Sequence, residues 1–476
     1  MNSMTQPKRT LKSRIRSRLL IPLLFECFAV VPMAPAVVPP PDGGYPGGNT
    51  AEGQNALFSL STGSFNAAIG WQSLRTITSA SFNTGVGTGT LALNTADRNT
   101  ATGAAALFLN SGGTQNTANG ALALLHNDTG SFNTAIGDSA LFNNTTGLGN
   151  TAIGVESLVT NTAGEFNTAV GNGVLLSNTL GVENTGLGAA ALGANTIGGQ
   201  NTATGFQALF SNTLGHVNSA YGYQALLGNT DGVFNVAIGA AALQSNFIGD
   251  SNTAIGTSAL LGNIDGDVNT AVGITALLNN TTGMGNVALG AGAGSGVTTA
   301  DHVICIGTAV AGANVNNSCY IGEIFGATSS TGIGVFINSD GKLGTTTSSL
   351  RFKHDIKPMD RASEALYALK PVRFRYKSEI DPEGTPQLGL LAEDVEKTNP
   401  DLVVRDKEGK TYSVRYDQVN AMLLNEFLKE HKAFVQEQRK VQELEKRIEK
   451  LAADLQKVSA QIELSNSAAQ MAANQK

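Results

Sequence analysis

The chain has 476 residues, with 56 glycines, 6% aromatic and 14% charged residues, and a net charge of -6. Its 41% hydrophobic content excludes a disordered polar chain, and its length allows two or three domains. Between Asn49 and Thr345 only Arg75, Arg98 and Lys342 are basic against fourteen acidic residues, so this stretch cannot neutralise phosphates and excludes a nucleic-acid partner.

The first segment, 1–36, has the layout of an export signal. Lys8, Arg9, Lys12, Arg14, Arg16 and Arg18 form a basic region, Leu19 to Val31 an apolar stretch, and Ala34-Pro35-Ala36 a small-residue cleavage site. Pro22 and Glu26 interrupt the apolar stretch, which falls short of the about 20 residues of a span. The expectation is an exported protein, secreted or at the cell surface, with a retained N-terminal membrane anchor as the alternative. A Pro/Gly linker follows over 37–48.

From Asn49 to Gly290 one unit recurs fifteen times, N-T-A-[IV]-G-x-x-A-L-x-x-N-T-x-G-x-x, at a step of 17 residues except one of 16, between Asn83 and Asn99. Gly holds the fifth position in every copy and Leu the ninth in fourteen. A fixed short period is the signature of a solenoid. Seventeen residues are too few for a helical hairpin repeat and suit a coil of two short strands and two turns. Stacking at about 4.8 Å lays Leu over Leu and Asn over Asn, so that amides bond along the axis. The predicted fold class is mainly β: a parallel β-roll or solenoid over 49–290, with a degenerate cap and neck over 291–347. Its acids, among them Asp138, Glu156 and Asp265, share no coil position, which argues against the paired carboxylates of a glycan-cleaving spike.

Three cysteines make no disulfide framework. Cys305 and Cys319 either pair, if the chain is exported, or stand as two buried thiols. No Cys/His spacing suggests a metal site, and no cofactor motif is present.

The repeat units resemble the head repeats of trimeric autotransporter adhesins. That resemblance implies a left-handed parallel β-roll assembled as a trimer, and a surface for a cell-surface or host ligand. Those adhesins end in a membrane barrel, whereas this chain ends in a charged helix.

At Ser348 the composition changes. Ser348 to Met359 (SSLRFKHDIKPM), Leu369 to Tyr376 (LKPVRFRY), Gly389 to Val395 (GLLAEDV) and Val414-Arg415-Tyr416 follow in that order. Together they resemble the self-cleaving intramolecular chaperone domain of phage tail spikes and endosialidases, found also in bacterial surface proteins and in myelin regulatory factor. The resemblance implies a small α+β domain over 348–430 that trimerises its chain. It also implies a catalytic dyad of Ser348 and Lys353, an autocatalytic serine endopeptidase that cuts itself once, beside Ser348. A neutral lysine can take the proton of a serine hydroxyl, provided it is desolvated. This chain has Ser349 where the family has Asp, which makes Ser349 a rival nucleophile without the five-residue spacing, and Glu393 where many relatives have Gln. His354 reads as a surface histidine and Gly389–Val395 as packing. The alternative is a non-cleaved structural adhesin that uses this domain as a trimerisation module.

Val441, Leu444, Ile448, Leu451, Leu455, Val458 and Ile462 recur in steps of three and four, the a/d seam of a coiled coil over 431–465. Phe427 and Phe434 extend it upstream, and Lys440 with Glu445 forms a g-to-e′ pair. A seam of mixed Ile, Leu and Val leaves the oligomer number open; trimer comes from both resemblances. A polar tail, 466–476, is expected to be disordered.

Overall fold

The computed structural model describes residues 45–327 and 329–474, so the segment predicted as an export signal and most of the linker lie outside the described residues. The described residues fall into two compact units, divided after Ala327.

The first unit is a solenoid with one three-residue strand per coil, from β1 (Thr50–Glu52) to β17 (Cys319–Ile321). All seventeen strands pair in parallel with their successors in one sheet. The pairing repeats the sequence period: Thr134 faces Thr151, Ala135 faces Ala152 and Ile136 faces Ile153. The shortened step is absorbed in a turn, since Thr84 pairs with Thr100 without disturbing the ladder. Past Gly290 the stack adds β16 (Ile304–Ile306) and β17, so the weak period seen in the sequence there is structural.

The middle strand residue points inward and is buried: Ala135, Ala152 and Ala169 are fully enclosed. Against them pack the ninth-position leucines, Leu74 through Leu260, each with no exposed surface. Burial of one such side chain contributes about 1.5–3 kcal/mol, so the coils are held chiefly by a one-dimensional column of leucine and alanine.

The second face of each coil departs from expectation. No second strand forms among the described residues; alternate residues there are left-handed, as at Ser139 (φ 56°) and Leu141 (φ 51°). The hydrogen bonds give the reason. The N–H of Ser139 donates back to Ala121 O (2.9 Å), while that of Leu141 donates forward to Ser157 O (2.9 Å). The amides of these alternate left-handed residues point to opposite neighbours, while the Ala140 N–H between them closes on Gly137 O (3.4 Å), so one segment satisfies the coils on both sides. A left-handed non-glycine residue costs roughly 1–2 kcal/mol, which the enclosing stack offsets. Glycine is required at the fifth position because the coils meet there: at Gly137 (φ 136°) a Cβ would lie 2.4 Å from Gly154 O.

Two buried asparagine ladders run along the axis. In the first, the Asn150 N–H donates to Asn133 Oδ1 (2.9 Å) and Asn150 Nδ2 donates to Gly164 O (2.8 Å). In the second, Asn144 Nδ2 donates to Asn127 Oδ1 (2.8 Å) and to Gly147 O (2.9 Å). The second ladder starts at Asn94; Ile77, fully buried, holds the equivalent place one coil earlier. Asparagine suits both ladders because one short side chain both donates and accepts.

Strand alternation also decides the cysteines. Cys305 points inward and is buried, Cys319 points outward and is exposed, and both are free. Neither the disulfide nor a pair of buried thiols is formed.

The second unit is small. A hairpin of β18 (Val335–Ile337) and β19 (Leu343–Thr345) precedes short 3-10 turns at Leu350–Phe352 and Asp360–Ala368. Two further antiparallel pairs follow: β20 (Val372–Phe374) with β21 (Gln387–Gly389), and β22 (Val403–Arg405) with β23 (Thr411–Val414). Helix α1 (Ala392–Thr398) lies between the pairs, and α2 runs from Tyr416 to Ala473. Val395, Leu402, Val403, Val414, Val419 and Met422 make its buried core. Helix α2 is one element through the predicted seam and on into residues 466–473, and its seam residues are exposed, Val441 by 48% and Leu455 by 74%.

Candidate functional site

Ser348 and Lys353 lie on either side of the first 3-10 turn. The Phe352 N–H donates to Ser349 O and the Lys353 N–H to Leu350 O, both at 3.1 Å. That turn folds the chain back on itself, and Lys353 Nζ comes within 3.2 Å of Ser348 Oγ. The Arg351 guanidinium sits over the Phe352 ring, 4.5 Å from its centroid. In this geometry the ammonium donates to the hydroxyl; general-base chemistry needs the reverse transfer, from Oγ to a neutral amine. Both residues are exposed in the single protomer.

Ser349 caps the turn in extended conformation, and its hydroxyl is not the one that Lys353 reaches. His354 Nδ1 pairs with the Asp355 carboxylate at 2.9 Å, and both are open to solvent. The Gly389–Val395 stretch packs: Gly389 closes β21 where a Cβ would meet Tyr416 Oη at 2.9 Å, and Val395 is buried. Glu393 lies exposed in the first turn of α1.

A polar cluster that sequence reasoning missed lies elsewhere in the same unit. Ser363, fully buried, donates to the Glu426 carboxylate and accepts from Asn425 Nδ2 (2.6 Å) and Lys429 Nζ (3.3 Å). Tyr367 Oη donates to Glu426 Oε2 (2.8 Å), and Lys429 Nζ to Glu426 Oε1 (2.6 Å). Lys429, Ser363 and Tyr367 together hold the Glu426 carboxyl down at about 2. Here too a serine sits beside a lysine, but Lys429 is committed to a carboxylate. The cluster fastens the second 3-10 turn to α2 and offers no base. Only the Glu426/Lys429 spacing of three on a helix was visible in the sequence; Ser363 carried no signal.

Among the described residues no group of three or more His, Cys, Asp or Glu is placed to hold a metal, and no helix is long and apolar enough to cross a membrane.

Residues 348–404 match the family model described as chaperone of endosialidase. The match begins at Ser348 itself. It marks residues 348–404, within the second unit, as an intramolecular chaperone domain that follows a β-solenoid in the chain, which fits a fibre or tail-spike-like protein. No curated protein and no solved structure matches the chain.

Proposed function

We propose that this is an exported homotrimeric fibre whose chaperone domain aligns three chains, directs the stacking of the solenoid, and then cuts itself off beside Ser348. The observation that carries the reading is a chaperone match opening on a serine whose hydroxyl lies 3.2 Å from Lys353, downstream of a long parallel stack. The need for a chaperone follows from the stack. Every coil resembles its neighbours, so a slip by one full repeat conserves most contacts, and parallel pairing is slow to form. Three chains joined at α2 begin in register. The likeness of the repeats to adhesin heads supports display at a surface, where the solenoid meets a cell-surface or host ligand.

For the cut, neutral Lys353 takes the proton of Ser348 Oγ as the oxygen attacks the carbonyl carbon of an adjoining peptide bond. The C–N bond breaks, the amine leaves with the proton, and water hydrolyses the resulting ester. Lysine must be shielded from water to be neutral near pH 7. A single protomer leaves Lys353 exposed, so the reading requires partner chains to cover it. The same exposure favours the second reading, an uncleaved surface adhesin with a trimerisation module. Denaturing gels and intact masses of the protein beside Ser348→Ala and Lys353→Ala separate the two. Cleavage beside Ser348 that both substitutions abolish supports the dyad; an intact wild-type trimer removes the peptidase and leaves the module.

A further inference from the structure

The solenoid carries an apolar face that nothing in its own coil covers. In each strand the first and third residues point away from the buried alanine. The third is an aliphatic residue in most coils: Ile69, Ile136, Ile153, Ile238 and Ile255 are all exposed, alongside first-position threonines. Over all seventeen strands, Glu52 is the one charged residue in these outward places; the other acids sit in turns. Beside the strands, in the residue before the laddered asparagine, Phe65, Phe82, Phe132, Phe166 and Phe234 are more than half exposed, and the rings of Phe65 and Phe82 stack at 5.3 Å.

We infer that this strand face is the contact between copies of the solenoid, the Thr/Ile rungs of the three copies turning towards a common axis in parallel register. The inference rests on the self-association proposed above and names the surface that performs it. Size is the first argument. Seventeen strands at about 4.8 Å, with three alternate positions across the face, present on the order of 800 Å², the area each partner gives to a stable interface. Soluble monomers rarely expose so long an uncharged apolar strip.

Periodicity names the occupant. A partner must offer a matching rung at every step of about 4.8 Å, apolar in most coils, and a further copy does so by construction. Helix α2, taken by itself, exposes a second periodic apolar surface, its a/d seam, which a parallel copy of the same helix also matches. One partner thus accounts for both surfaces.

The test is cross-linking in the full-length chain carrying Cys27→Ser and Cys319→Ser, which leaves buried Cys305 as the one native thiol. Ile153→Cys places a thiol on the face, and Thr146→Cys places a control thiol in an exposed turn. Mating in register brings the thiol introduced by Ile153→Cys against its counterpart on the second copy. Mild oxidation should then yield a covalent dimer roughly 10-fold or more faster than the control, as a high effective concentration demands. Equal rates in a chain that still sediments as an oligomer overturn the inference, leave self-association through α2 standing, and assign the face to a different partner. Sedimentation as a monomer overturns both. Circular dichroism matching the unsubstituted chain confirms that each variant is folded.

Discussion

At the scale of single residues, asparagine shows how a small change of chemistry would be amplified. Asn161 Nδ2 donates to Asn144 Oδ1 (2.8 Å) and Gly164 O (3.0 Å), while its Oδ1 accepts from Asn178 Nδ2 (2.9 Å). Asn161→Asp keeps the shape and removes both donors, setting a buried carboxylate against two carbonyl oxygens. The loss should be about 3 kcal/mol. In a stack of nearest-neighbour coils it should appear as lost hydrogen-exchange protection centred on residues 144–178 rather than as a uniform shift. Glu426 carries a pH prediction. Its carboxyl is held at about 2 in the folded chain against an ordinary 4.5. Its stabilisation is therefore complete above about 4.5 and drains away as pH falls towards 2. Acid titration of the folded protein should show the second unit losing stability across that window, and Glu426→Gln should flatten the dependence.

At the scale of elements, α2 and the coil are the units to perturb. The α2 seam exposes Ile448 and Leu451 in the protomer. If chains meet there, Ile448→Lys with Leu451→Lys buries like charges at the seam and should weaken association by roughly 100-fold, ~3 kcal/mol. Sedimentation equilibrium reads that directly; unchanged association would show that α2 does not hold the chains together. Within a coil, the strand segment was legible because T-A-[IV] alternates, as a half-buried strand does. The second segment was not. Its residues were expected to extend, and they alternate in handedness because their amides must reach coils on both sides, a demand that exists only once the stack does.

At the scale of the whole molecule, the proposed order of parts makes a prediction of its own. A chain ending at residue 347 lacks the chaperone domain and should leave the solenoid aggregated, because nothing sets register before the identical coils pair. Released solenoid from the full-length chain should stay folded after the cut, since its ladders and leucine column are internal. A truncated chain that folds and sediments like the released one would remove the chaperone role.

Much of this molecule was written along the chain. A 17-residue period with invariant Gly and near-invariant Leu required a stack, and the stack required ladders of Leu and Asn. The five-residue spacing of Ser348 and Lys353 is local too, and a single turn closes it to 3.2 Å. What only the tertiary structure decided are the relations between distant residues and the choice of which faces stay open. Ser363 meets Glu426 across 63 positions of sequence, Cys305 and Cys319 turn to opposite sides of one sheet, and the Thr/Ile face remains uncovered. Periodicity specifies contacts at one fixed separation, so a one-dimensional stack can be read from its repeat; contacts at arbitrary separations depend on how the whole unit packs, and no local pattern encodes them.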